Sequence, residues 1–98
     1  MEFRLLGPLE VRAGDGPVPL GAPKQRALLA FLLLNANQVV ARERLIDEVW
    51  DTNWFGSTKT LDVHVSGLRK KLDDDPGASR YIHTVRGVGF RFASPEEI

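Results

Sequence analysis

Ninety-eight residues suffice for one modest hydrophobic core and leave no room for a second. Thirteen basic and thirteen acidic side chains cancel, which argues against a partner held by bulk charge, such as a membrane surface or DNA coated as by a histone. The absence of cysteine excludes disulfides and thiolate zinc sites, and two isolated histidines cannot build a metal cage, so no metal or other cofactor is expected.

The chain opens with MEFRLLG, which has no signal-peptide pattern, and its longest apolar run, Ala27 to Leu34, is too short to span a bilayer. A cytoplasmic protein without a membrane partner is expected. Phe3 to Leu6 and Leu9 to Arg12 read as short strands separated by Gly7 and Pro8. The segment Ala13 to Pro17 reads as a turn, and Val18 to Leu20 as a candidate third strand. Pro23 suits a first helical turn, where its missing N–H is not needed, and strong helix formers continue from Lys24 to Leu34. This first helix is expected to be nearly all core. Asn35 and Asn37 tolerate the left-handed conformation that ends helices, and Gln38 to Val40 leads into a further element.

A second helix is expected from Arg42 to Trp50, with Leu45, Ile46, Val49 and Trp50 on its apolar face. Ala41 stands at its N-cap position but has no side chain able to cap. The loop Asp51, Thr52, Asn53, Trp54, Phe55, Gly56, Ser57 is too long for a minimal helix-turn-helix turn and carries surplus aromatics. Those aromatics either staple the loop to the core or form a protein contact. Ser57 or Thr58 can cap a third helix, which the acids, proline and glycine of DDDPG stop after Leu72.

Leu61, Val65, Leu68 and Leu72 form the core stripe of this third helix. Lys59, Asp62, Ser66 and Lys70 lie away from the stripe, with Thr60, His64 and Arg69 toward its edges. Such a face suits a helix in a DNA major groove, although an ordinary solvated face would look the same. Charge sharpens the choice. Residues 1 to 58 hold six basic and seven acidic side chains, whereas residues 59 to 91 hold seven and four. After the third helix, Tyr81 to Val85 alternates as a strand, Gly87 and Gly89 flank Val88 at a tight tip, and Phe90 to Phe92 returns. Arg86 at that tip has no core to pack into and is placed to enter a minor groove. The GxG at the tip lacks the following helix that a phosphate loop requires.

The run KTLDVHVSGLRKKL followed by RYIHTVRGVGFRF resembles the winged-helix DNA-binding domain of OmpR/PhoB-type response regulators over Arg42 to Phe92. The segments MEFRLLGPLEV and GAPKQRALLAFLLLNANQVV resemble Streptomyces antibiotic regulatory proteins, whose DNA-binding domain is of the same type and stands first in the chain. The two resemblances imply different missing partners, an N-terminal receiver or a C-terminal activation domain, and Met1 leading directly into the first strand favours the second. They also imply that Lys59, Thr60, His64, Ser66, Gly67 and Arg69 face DNA, that Trp50 lies near a phosphate, and that Thr84, Arg86 and Phe90 are wing contacts. Asp62 matches an acid that orients neighbouring basic side chains. Ser66 and Gly67 depart from the basic or larger residues that relatives often carry there. The loop from Asp51 to Phe55 matches a segment that contacts RNA polymerase or its sigma factor.

The expected fold is α+β: a winged helix-turn-helix with an N-terminal antiparallel sheet (1–20), a three-helix core (22–73) and a C-terminal β-hairpin wing (80–93). The expected function is sequence-specific binding of double-stranded DNA for transcription regulation, in the direction of activation. The third helix, from Thr58 to Leu72, would enter the major groove, with Lys70 among its contacts and Arg86 near the minor groove. Family resemblance adds tandem binding to direct repeats. A protein-interaction module contacting polymerase, with little DNA binding of its own, is the alternative. No nucleophile pattern surrounds His64 or His83, so catalysis is not expected.

Overall fold

A computed structural model describes residues 2–4, 10–13, 16–17, 23–50, 59–75 and 77–97. The order of elements is β1 (Glu2–Arg4), β2 (Glu10–Ala13), β3 (Gly16–Pro17), α1 (Pro23–Leu34), β4 (Val39–Ala41), α2 (Arg42–Val49), α3 (Lys59–Leu72), β5 (Ile82–Val85) and β6 (Gly89–Phe92), followed by a single 3₁₀ turn, Pro95–Glu97. The strands form two antiparallel sheets, β1-β2-β3 and β4-β6-β5. Gly16 and Pro17, expected in a turn, pair with Ala13 and Arg12, because the chain folds back on β2 at once. The strand expected at Val18 to Leu20 and the loop from Asp51 to Phe55 lie outside the described residues.

The three helices and the second sheet share one core. Leu28, Leu29 and Leu32 of α1, Leu45 of α2, Leu61, Leu68 and Leu72 of α3, and Ile82 of β5 are at most 1% exposed. Burying a leucine or isoleucine side chain stabilises a fold by roughly 1.5–3 kcal/mol, so this stripe-to-stripe packing supplies most of the cohesion. α1 is less buried than its composition suggested. Only Leu28, Leu29 and Leu32 are buried, and Leu34 is 73% exposed, because a helix on one side of the core presents a single stripe to it. Phe3 fastens the N-terminal sheet to the wing side through edge-to-face contacts with Tyr81 and Phe92, at 5.5 and 5.2 Å between ring centroids.

The segment from Gln38 to Val40 resolves into β4, which pairs with β6 through Val39↔Arg91, Val40↔Phe90 and Ala41↔Gly89. The wing is therefore a three-stranded sheet, not a hairpin alone. Asn37 has φ 66°, which makes the turn from α1 into β4, and its N–H donates to Phe92 O at 2.8 Å. At the start of α2, Ala41 makes no side-chain cap, but the Arg42 N–H donates to Val88 O at 3.1 Å, so the wing satisfies one first-turn donor. At its other end Lys24 of α1 donates from Nζ to Val49 O at 2.8 Å, capping the helix with a cation where the carbonyls gather. α3 ends in a Schellman turn: Asp73 takes φ 55°, Asp73 N–H donates to Lys70 O, and Asp74 N–H donates to Arg69 O at 2.8 Å.

Candidate nucleic-acid interface

The side of α3 turned away from the core presents Lys59, Asp62, Val63, Ser66 and Lys70, all exposed. Their spacing of three or four residues puts them on one face, as the helical period requires. Asp62 does not project a bare negative charge. Arg42 at the start of α2 grips it with two hydrogen bonds of 2.8 Å, and Asp62 holds its proton less tightly than an ordinary aspartate because of that bonded guanidinium. Arg42 is shifted upward by the same bond and also lies over the Phe90 ring at 5.8 Å. This pair ties the two helices, and Lys59 and Lys70 stand exposed on the same face. Val63, 69% exposed, is an apolar surface in the middle of a polar face. Its place off the Leu61, Val65, Leu68 and Leu72 stripe could have marked it in the sequence.

The wing turn spans Arg86 to Val88. Val88 N–H donates to Val85 O at 3.0 Å, Gly87 takes φ 73°, and Arg86, Gly87 and Val88 are exposed. Arg86 shares a surface cleft with Ser79, His83 and Thr84. Gly89 is required for a different reason than its neighbour: a Cβ there would stand 1.9 Å from Val40 O, so strand β4 can cross only a glycine.

The other expected contacts fall into three positions. Thr84 is exposed, while Trp50, Thr60, His64, Gly67 and Arg69 are half-buried. Trp50 and His64 pack edge to face at 5.1 Å, so each ring is spent partly on the other. Gly67 faces α1: a Cβ would meet Gln25 Nε2 at 2.6 Å, and Gln25 in turn accepts a 2.6 Å hydrogen bond from Lys71 Nζ. The glycine thus serves the packing of α1 on α3. Phe90, expected as a wing contact, is 2% exposed and belongs to the core, because alternation along β6 turns it inward opposite Val40 and Thr84. In the sequence Asp74 is one of the three acids in the stop after Leu72. It is 4% exposed, and its carboxylate accepts from Arg80, Tyr81 and Ile82 N–H at 2.6, 3.3 and 3.0 Å.

Helix stripe, paired wing sheet and an exposed arginine at its turn together define a winged-helix domain. The sequence matches the family described as "Transcriptional regulatory protein, C terminal" over residues 16–92. The chain belongs to that family, the OmpR/PhoB-type DNA-binding domain of transcription regulators, which are not enzymes. It is 45% identical over 74 residues, 74% of this chain and 32% of the relative, to the sensory transduction protein RegX3 of Mycolicibacterium smegmatis. It is 40% identical over 84 residues, 86% of this chain and 36% of the relative, to the phosphate regulon transcriptional regulatory protein PhoB of Klebsiella pneumoniae. The chain therefore spans about a third of the length of these curated relatives. Among solved structures it is similar to the Klebsiella pneumoniae RstA DNA-binding domain in complex with the RstA box, with a TM-score of 0.78 and 28% identity over 95% of this chain and 98% of that one. Among the described residues no helix is long and apolar enough to cross a membrane.

Proposed function

We propose that this chain binds double-stranded DNA in a sequence-specific manner to regulate transcription in the bacterial cytoplasm, with α3 in the major groove. The observation that carries this reading is the single exposed face of Lys59, Val63, Ser66 and Lys70 on a helix whose opposite stripe is fully committed to the core. Lys59 and Lys70 suit phosphate or guanine, Ser66 and the half-buried Thr60 suit base edges or phosphate, and Val63 suits a thymine methyl. Arg86 at the wing turn enters or borders the adjacent minor groove. The RstA domain, solved with its DNA box, supports the reading by its likeness. Pairs of protomers on direct repeats, activation of the target promoter, and polymerase contact through Asp51 to Phe55 complete the proposal.

Site selection from random duplexes tests it, followed by fluorescence anisotropy on the winning sequence at low and moderate salt. The expected result is an enriched motif repeated at about one DNA turn, with affinity falling as salt rises. No enrichment and no binding at either salt would leave the fold serving protein contacts instead.

A further inference from the structure

Arg69 lies on α3 at the edge of the candidate interface, yet its guanidinium is directed elsewhere. Its Nη2 donates to Ile82 O at 2.8 Å and to Thr84 Oγ1 at 2.7 Å, both on β5. Burial holds the group below the ordinary arginine value, with the charge of Asp74 acting in the opposite direction. Its Nε is buried and has no hydrogen-bond partner among the described residues. With Nη2 spent on β5 and Nε buried, at most Nη1 of the fork is left for a phosphate, which gains most from an open pair of donors.

The partners on β5 explain the arrangement. β5 is an outer strand of its sheet, so alternate N–H and C=O groups point away from β6 and need partners. Ile82 is such a residue. Its N–H donates to Asp74 Oδ2 at 3.0 Å, and its C=O accepts from Arg69. Arg69 and Asp74, from the last turn and the cap of α3, together take the place of a neighbouring strand. The hydrogen bond to Thr84 extends the clasp to within two residues of Arg86.

We infer that Arg69 is a positioning residue: with Asp74 it clasps the outer edge of β5 to α3 and so sets where the wing carries Arg86 relative to the recognition helix. It is not itself a DNA contact. The effect on Arg86 rests on the DNA-binding reading, whereas the clasp does not.

Amide hydrogen exchange on the whole chain without DNA tests the clasp. Arg69→Gln and Thr84→Val should each speed exchange of the Val88 N–H by about tenfold, as local opening of the wing becomes easier. Thr84→Ser, which keeps the accepting hydroxyl, should restore protection. Thr84 is exposed, so its variants keep the experiment informative even where Arg69→Gln disturbs folding. Unchanged wing protection in both Arg69→Gln and Thr84→Val would overturn the proposal.

The DNA arm compares Arg69→Gln, Arg86→Ala and the double variant. The expected result is non-additive, with the double variant within about twofold of the weaker single, because both changes remove one function. Multiplying losses, together with a further drop of about 0.9 in the salt slope, would make Arg69 a phosphate contact and overturn the inference. Wild-type protein that binds no duplex at low salt would defeat the DNA-binding reading, and wing exchange alone would then judge the clasp.

Discussion

At the scale of single residues, Asp74 carries a large energetic role. Three backbone donors converge on its buried carboxylate, and removing it leaves N–H groups of Tyr81 and Ile82 buried without an acceptor. Asp74→Ala is expected to cost about 3–4 kcal/mol, and Asp74→Asn about half of that. The asparagine keeps one oxygen but turns its own amide toward the Ile82 N–H. Urea unfolding curves check both values, and equal losses for the two variants would contradict this account. The Arg42–Asp62 pair makes a smaller, pH-dependent contribution. Its proton affinity is lowered on folding, so the pair stabilises in full above the ordinary aspartate value and fades as pH falls through the lowered one. Asp62 is 51% exposed, which limits the pair to about 0.2–1 kcal/mol. Wild type and Asp62→Asn should therefore differ in urea midpoint at pH 7 and begin to converge as pH falls below about 4. A gap that persists unchanged at pH 3 would assign the difference to something other than this charge. Glu97, held low by its bonds to Arg91 and Ser94, acts in the same direction at the C-terminal end.

Among the elements, the wing depends on two glycines for unlike reasons. Gly89 sits where β4 crosses, with Val40 O in the space a Cβ would fill, whereas Gly87 has open space around it and a positive φ. Gly89→Ala should cost at least about 3 kcal/mol, since backbone rather than a flexible side chain must yield. Gly87→Ala should cost only about 1 kcal/mol, the usual strain of a left-handed residue. Thermal melts of the two variants measure the contrast, and similar losses would remove the close crossing as the cause. At the start of α2 the extended backbone of Ala41, φ −64° and ψ 148°, is suited to a capping hydroxyl that alanine lacks. Ala41→Ser is expected to stabilise by roughly 1 kcal/mol, because its hydroxyl would accept from the N–H of Glu43 or Arg44, the second and third residues of the helix. A melt with no gain would count against a capping hydroxyl at this helix start.

For the whole molecule, zero net charge is compatible with the proposed DNA partner because three acids are held by structure, while others such as Glu43, Asp47 and Glu48 are exposed on α2. Asp62 is clasped by Arg42, Asp74 is buried under the start of β5, and Glu97 is bound to Arg91. Lys59, Lys70 and Arg86 are left exposed on the proposed DNA side. Arg86→Ala should accordingly weaken binding across sequences and lower the magnitude of the salt slope by about 0.9, the share of one phosphate. Anisotropy titrations over a salt series check this, and an unchanged slope and affinity would take the wing out of the interface.

Periodicity by itself determined the three helices, the core stripe of α3, the stop after Leu72 and the hairpin around Gly87, because each follows from local spacing and backbone preference. It also singled out the exposed face of α3, since that face is the complement of the stripe. Tertiary structure alone decided which polar groups remain available on it. Arg69 and Thr84 are joined across the wing edge, Gly67 receives Gln25 from α1, and Phe90 turns into the core opposite β4. Each of these depends on a partner more than ten residues away in the chain, and a helical wheel has no term for such a neighbour. β4 escaped for the same reason: three residues make a strand only because β6 lies beside them. Sequence spacing chose the surface, and long-range hydrogen bonding and packing chose which of its side chains stay exposed on the proposed DNA side.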